Sequence, residues 1–288
     1  MVHDPVTPVS PVLPDILFSF TALTYLCASV LFVGYLLGAT SAAVAMKIAP
    51  RLLAAGAALH AGQIVTASIV THVCPVEGIH FAMSVVSMLV CVAYLVMRVR
   101  YRIDFVGAFV GPLALTSLLA SRFVGGGVME PGPRFKSALL PLHVTMNLLG
   151  IALFSLAFAA ACAYLVQENQ LKNKRLEGIF QRLPPLDSLD KAEHRFLLAG
   201  FPLLTIGVLT GTLWAKRVED GGAAEIARAA FGYATWLLFA AVLLLRAAAG
   251  WRGRRAAYGT IAGFGFAVLV LVLYLLRSPT PAAVAIHG

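Results

Sequence analysis

The chain has 288 residues, of which 60% are hydrophobic and 12% charged, and its mean hydropathy is +0.87. Soluble domains carry about 25% charged residues, so an ordinary soluble globular protein is excluded. The net charge of +9 is not a nucleic-acid footprint, because the basic residues sit in short loops between apolar stretches, where they set topology.

Eight apolar stretches fill most of the chain, at roughly 16–38, 52–74, 80–98, 105–121, 138–166, 196–215, 229–248 and 256–276. A bilayer core of ~30 Å takes about 20 apolar residues to cross as a helix. The stretches do not alternate as barrel strands would. They predict one all-α, polytopic membrane domain over 1–288, a bundle of eight transmembrane helices. The fourth span is short and contains Gly111-Pro112, which predicts a kink. The fifth is expected to continue into the polar stretch from Gln167 to Arg175. Between spans five and six lies the largest polar segment, Gln167 to Arg195, read as a loop interrupted by Pro184-Pro185, with Asp187 or Ser188 capping the next helix.

Alternate loops differ in charge. Those after spans one, three, five and seven hold fifteen lysines and arginines, and the remainder of the chain holds seven. The positive-inside rule places the first set in the cytoplasm, with both termini on the outer, periplasmic side of a bacterial inner membrane. The N-terminal MVHDPVTPVSPVLPD has no basic region, and no cleaved signal peptide is expected. Cys27, Cys74, Cys91 and Cys162 form no CxxC or CxxCH, so neither a disulfide framework nor c-type haem attachment to this chain is expected.

Ionisable groups within spans are costly and mark functional candidates. Here they are histidines. His60 lies about eight residues, or ~12 Å, inside the expected start of span two. His143 lies ~8 Å inside span five. His72 and His80 flank the turn between spans two and three and are secondary candidates. No carboxylate or basic side chain is expected at comparable depth, which argues against a proton relay or cation pump. Neutral imidazole suits haem iron, with Arg122, Arg134 and Lys136 available to its propionates. The competing reading is a histidine that only ties helices together. His3, His194 and His287 are assigned no role, and His72, Cys74 and His80 have no recognised zinc spacing. Gly34/Gly38, Gly107/Gly111 and Gly207/Gly211 recur at the spacing of close helix packing. Trp214, Trp236 and Trp251 are placed near span ends or in polar loops, where interfacial anchoring accounts for at least two of them.

Three segments, PLHVTMNLLGIALFSLAFAAACAYLVQENQLKNKRL (141–176), LPPLDSLDKAEHRFLLAGFPLLTIGVLTGTLWA (183–215) and GWRGRRAAYGTIAGF (250–264), resemble the cytochrome c assembly membrane protein family. That superfamily includes CcsA/ResC, CcmC and HemX proteins, and the eight-span HemX/YpjD-like branch looks most similar. The resemblance implies a haem-binding membrane protein, without catalytic turnover, that holds or passes haem in support of cytochrome c assembly or haem homeostasis. His143 would match the family's outer histidine and His60 its histidine in the inner half of the membrane, with haem b as cofactor. The family's haem-presenting loop, of the form WGSYWSWDPKE, follows GxLWA. Here Gly211 to Ala215 is followed by KRVEDGGAAEIARAAFGY, without the tryptophans. Expected partners are membrane lipid and cytochrome c assembly or haem-biosynthesis proteins, with no nucleic acid. A HemX-like regulatory or scaffolding role through the basic 167–195 segment is the alternative. A small-molecule or ion transporter using Gln63 and Asn147 is a further one.

Overall fold

In a computed structural model, described here for residues 12–71, 79–100, 103–123, 139–174, 177–215 and 223–275, every regular element is helical. The elements are α1 (Val12–Leu37), α2 (Ala42–Thr71), α3 (Ile79–Arg100), a 3₁₀ turn (Asp104–Val106), α4 (Gly107–Phe123), α5 (Leu139–Lys172), α6 (Ile179–Arg182), α7 (Leu186–Ala215), α8 (Ala223–Ala249) and α9 (Arg254–Leu275). Seven of these helices are long and apolar enough to cross a membrane, and a shorter apolar stretch, Met83–Val99, lies within α3. The protein is a polytopic helical membrane bundle.

Several boundaries differ from the expected ones for identifiable reasons. Helix α1 ends at Gly38, whose φ of +90° closes the helix in a conformation that favours glycine. The Ala39 N–H then returns to the Gly34 carbonyl at 2.7 Å. Gly34 and Gly38 are therefore a terminus, not a packing pair. Ser41 starts α2 by accepting the Val44 N–H at 3.4 Å. Helix α2 thus begins at Ala42 rather than near 52 and runs through Pro50. Pro50 has no N–H, which leaves the Met46 carbonyl without its intrahelical donor. Arg98 of α3 fills that place, donating from Nη2 to Met46 O at 3.0 Å and from Nε to Asp104 Oδ1.

Helix α5 spans 34 residues, about 51 Å at 1.5 Å per residue, so it outruns the bilayer as expected. The segment 167–195 is not one loop. Its end forms the first turns of α7, which starts directly after Pro185. The Ser188 and Leu189 N–H groups donate to the Pro185 carbonyl. Asp187 lies in the first turn and pairs with Lys191 one turn on.

Helix α5 is central. It packs most extensively on α7 and also meets α9 and α3. Helices α1 to α4 form one group, through α1 with α2, α3 with α4 and α1 with α4. Helices α8 and α9 close the other side against α7 and α5. Gly107 and Gly111 do act as packing glycines. A Cβ on Gly107 would meet the Phe32 ring, and one on Gly111 would lie 2.6 Å from Ser29 Oγ. Trp236 lies mid-helix in α8, not at a span end. It stacks on Phe201 with centroids 5.7 Å apart and donates from Nε1 to Thr205 Oγ1 at 3.0 Å.

Two carboxylates, Asp190 and Glu193, are buried at the end of the bundle that carries Arg98, Arg182 and Arg246. Asp190 accepts from both Nη atoms of Arg246 and from the Gly253 N–H at 2.7 Å. Glu193, fully buried, accepts from Thr260 Oγ1 at 2.6 Å. The first turns of α7 are thereby fastened to α8 and α9.

Candidate haem-ligand site

His60 and His143 occupy different interfaces. His60 projects from α2 between α1 and α3 and is fully buried. Its Nδ1 lies 3.2 Å from the Tyr25 hydroxyl and its Nε2 2.8 Å from Ser84 Oγ. The Tyr25 ring meets the imidazole edge-on, centroids 5.8 Å apart. Neutral imidazole has one donor and one acceptor nitrogen, and hydroxyls on both sides satisfy either tautomer. Both nitrogens are engaged, so iron could be bound only if Tyr25 or Ser84 released its contact.

His143 is the fifth residue of α5 and lies half-buried against α7. Its Nδ1 is 2.7 Å from the Gly207 carbonyl oxygen. A carbonyl can only accept, so Nδ1 carries the proton and Nε2 holds the lone pair. Thr210 Oγ1 also approaches Gly207 O, at 3.0 Å, but it has one hydrogen and sits closer, at 2.7 Å, to Ile206 O. The Gly207 carbonyl therefore stays free to accept from the imidazole. One turn along α5, Asn147 Nδ2 donates to the His143 carbonyl at 2.7 Å and lies 3.2 Å from Nδ1. No hydrogen bond reaches His143 Nε2 from the described residues.

A metal-binding histidine characteristically donates its other ring N–H to a backbone carbonyl, which fixes the tautomer and raises ligand basicity. His143 has that arrangement and His60 does not. By the chemistry of its donor nitrogen, His143 fits haem iron.

The sequence singled out Asn147 only as a possible transport residue and Gly207/Gly211 only as packing glycines. Their relation to His143 spans 64 residues for Gly207 and leaves no local signal, whereas Asn147 at i+4 was recoverable from helical periodicity. Gln63 is inside α2, its Oε1 buried without a hydrogen-bond partner among the described residues. His80 belongs to α3 and His72 lies outside the described residues, as do Cys74, Arg134 and Lys136. No cluster of three or more metal-binding side chains occurs among the described residues. Cys27, Cys91 and Cys162 are free thiols.

The profile described as cytochrome C assembly protein matches residues 16–280, which include the whole α5–α7 interface. The chain belongs to the cytochrome c assembly protein family. Among its relatives, the cytochrome c biogenesis protein CcsA of Heterosigma akashiwo is 28% identical over 236 residues, covering 70% of this chain and 72% of that one. The CcsA protein of Guillardia theta is 30% identical over 189 residues, 59% of this chain and 62% of the relative. That of Crocosphaera subtropica reaches 40% over 95 residues, 33% of this chain and 28% of the relative. Family membership agrees with the resemblance carried by 141–176, 183–215 and 250–264.

Proposed function

We propose that this protein binds haem b through His143 and holds or passes it in support of cytochrome c assembly, without catalytic turnover. The observation that carries the reading is the Nδ1–H bond from His143 to Gly207 O, which puts the ring's lone pair on Nε2. Haem, when bound, would supply an iron that an imidazole nitrogen can ligate, and His143 Nε2 would hold it. The chain's part is to fix that nitrogen's tautomer, to aim it from α5, and to exclude water by packing α5 against α7.

The relatives' names concern cytochrome c biogenesis, and the family profile covers nearly the whole chain, which supports an assembly role alongside other assembly components. We place the protein in the cytoplasmic membrane of a bacterium, with both termini outward by its loop charges, so His143 lies near the outer face. The segment after Trp214 lacks the tryptophans of the family's haem-presenting loop. That favours holding or relaying haem, as in a HemX-like branch, over direct presentation to an apocytochrome.

The test is an absorbance spectrum of the detergent-purified protein, as isolated and after addition of haemin. A Soret band with a histidine-ligated spectrum is expected, and His143→Ala should remove most of it. Wild-type protein that stays colourless with excess haemin would overturn the reading.

A further inference from the structure

We propose that Gly207 and Gly211 of α7 are positioning residues for the His143–iron bond, and not merely contact points between helices. The inference rests on the haem reading above and extends it to residues on a different helix.

A Cβ built on Gly211 would fall 2.5 Å from His143 Cε1 and 2.7 Å from Nδ1. Real Cβ atoms do not approach so closely, and the imidazole is a rigid ring fixed by two torsions, so it cannot yield by bending. Any side chain at 211 turns the ring away from α7. A Cβ on Gly207 would lie 2.6 Å from Asn147 Nδ2 and 2.7 Å from Asn147 Cγ. It would displace the amide that holds the His143 carbonyl. The two glycines, one turn apart, thus form a trough floored by backbone. The His143 ring lies over one and the Asn147 amide over the other.

Only with the ring in this trough does Nδ1–H reach Gly207 O at 2.7 Å. That bond excludes the tautomer protonated at Nε2, which would leave no lone pair on Nε2 for iron. It also gives the ring partial imidazolate character, which strengthens donation to the metal. Stronger donation favours ferric over ferrous iron. Loss of the bond is therefore expected to weaken haem binding and to raise the midpoint potential of the haem that remains. A packing glycine with no bearing on the ligand would change stability but not potential.

The test uses full-length protein in detergent, loaded with haemin. The variants are Gly211→Ala, Gly207→Ala and Asn147→Ala, with Gly265→Ala as control, because a Cβ at 265 meets nothing within 4 Å. His143→Ala is measured in parallel. Expected for Gly211→Ala is a loss of haem affinity of about 10–100-fold, the usual cost of disturbing a metal ligand's hydrogen-bond partner. Its residual haem should show a raised midpoint potential and a lowered ferrous iron–histidine stretching frequency by resonance Raman. Gly265→Ala should match the wild type.

Should Gly211→Ala fold too poorly to purify, Asn147→Ala, which removes atoms instead of adding them, carries the same spectroscopic test. Wild-type potential and stretching frequency in the glycine and Asn147 variants, with haem lost only in His143→Ala, would overturn the positioning role and leave the haem reading intact. Unchanged haem in His143→Ala would instead sink the reading on which this one rests.

Discussion

Arg98 supplies to Met46 the hydrogen that a proline one turn later cannot. The Met46 carbonyl would ordinarily accept from residue 50, and Pro50 has no N–H. The Arg98 guanidinium reaches over from α3 to donate at 3.0 Å while it also holds Asp104. A charge that the loop count treats as a topology signal is thus a repair of the α2 backbone. Replacing Arg98 with Met is expected to cost about 1 kcal/mol, the low end for stranding an acceptor that is only partly buried. In a Pro50→Ala background, where the backbone donor returns, the same replacement should cost less, with a coupling of at least about 0.5 kcal/mol. Denaturant unfolding in detergent for the four members of the cycle measures it. Equal costs in both backgrounds would show that Arg98 acts only through Asp104.

The Asp190–Arg246 pair is the most buried ion pair among the described residues, with side chains 9% and 8% exposed. Asp190 accepts from Arg246 and from the Gly253 N–H, so its negative charge is well satisfied. Removing either partner leaves a buried charge uncompensated, at a cost of about 3–5 kcal/mol. Asp190→Asn and Arg246→Met should each lower the unfolding midpoint sharply. The double variant should lose less than the sum of the two, because neither charge is then stranded. Strict additivity would mean that the helices are held by packing alone.

The contrast between these two knots explains how far the sequence could be read. Span number, helical class and the long α5 follow from hydropathy, since bilayer thickness and backbone satisfaction leave little choice. The start of α7 was hidden because Asp190 and Glu193 look like loop charges until Arg246 and Thr260, 56 and 67 residues away, are placed beside them. The start of α2 was hidden by Pro50, whose usual meaning is a helix boundary. His143 was legible by its depth. Its tautomer was not, because the carbonyl that fixes it belongs to α7. The Gly34/Gly38 spacing matches that of Gly107/Gly111, yet only the latter lets two helices meet. Spacing alone does not distinguish a left-handed cap from a packing face.

His60 tests the proposal that His143 alone would meet iron. Depth and family resemblance rank it with His143, but Tyr25 and Ser84 occupy its two nitrogens. On this geometry it is a tie between α1, α2 and α3. His60→Ala and Ser84→Ala should then destabilise the bundle, by about 1–3 kcal/mol for a buried polar group left unpaired. Haem bound per folded molecule should stay at the wild-type level in both. If instead His60→Ala lost haem as His143→Ala does, the imidazole must leave its hydroxyl partners when haem arrives. Ser84→Ala would then bind haem more tightly than the wild type, because the contact competing for Nε2 has been removed. The two outcomes move haem affinity in Ser84→Ala differently, one leaving it unchanged and the other raising it. A haemin titration of that single variant therefore decides between a helix tie and a second ligand.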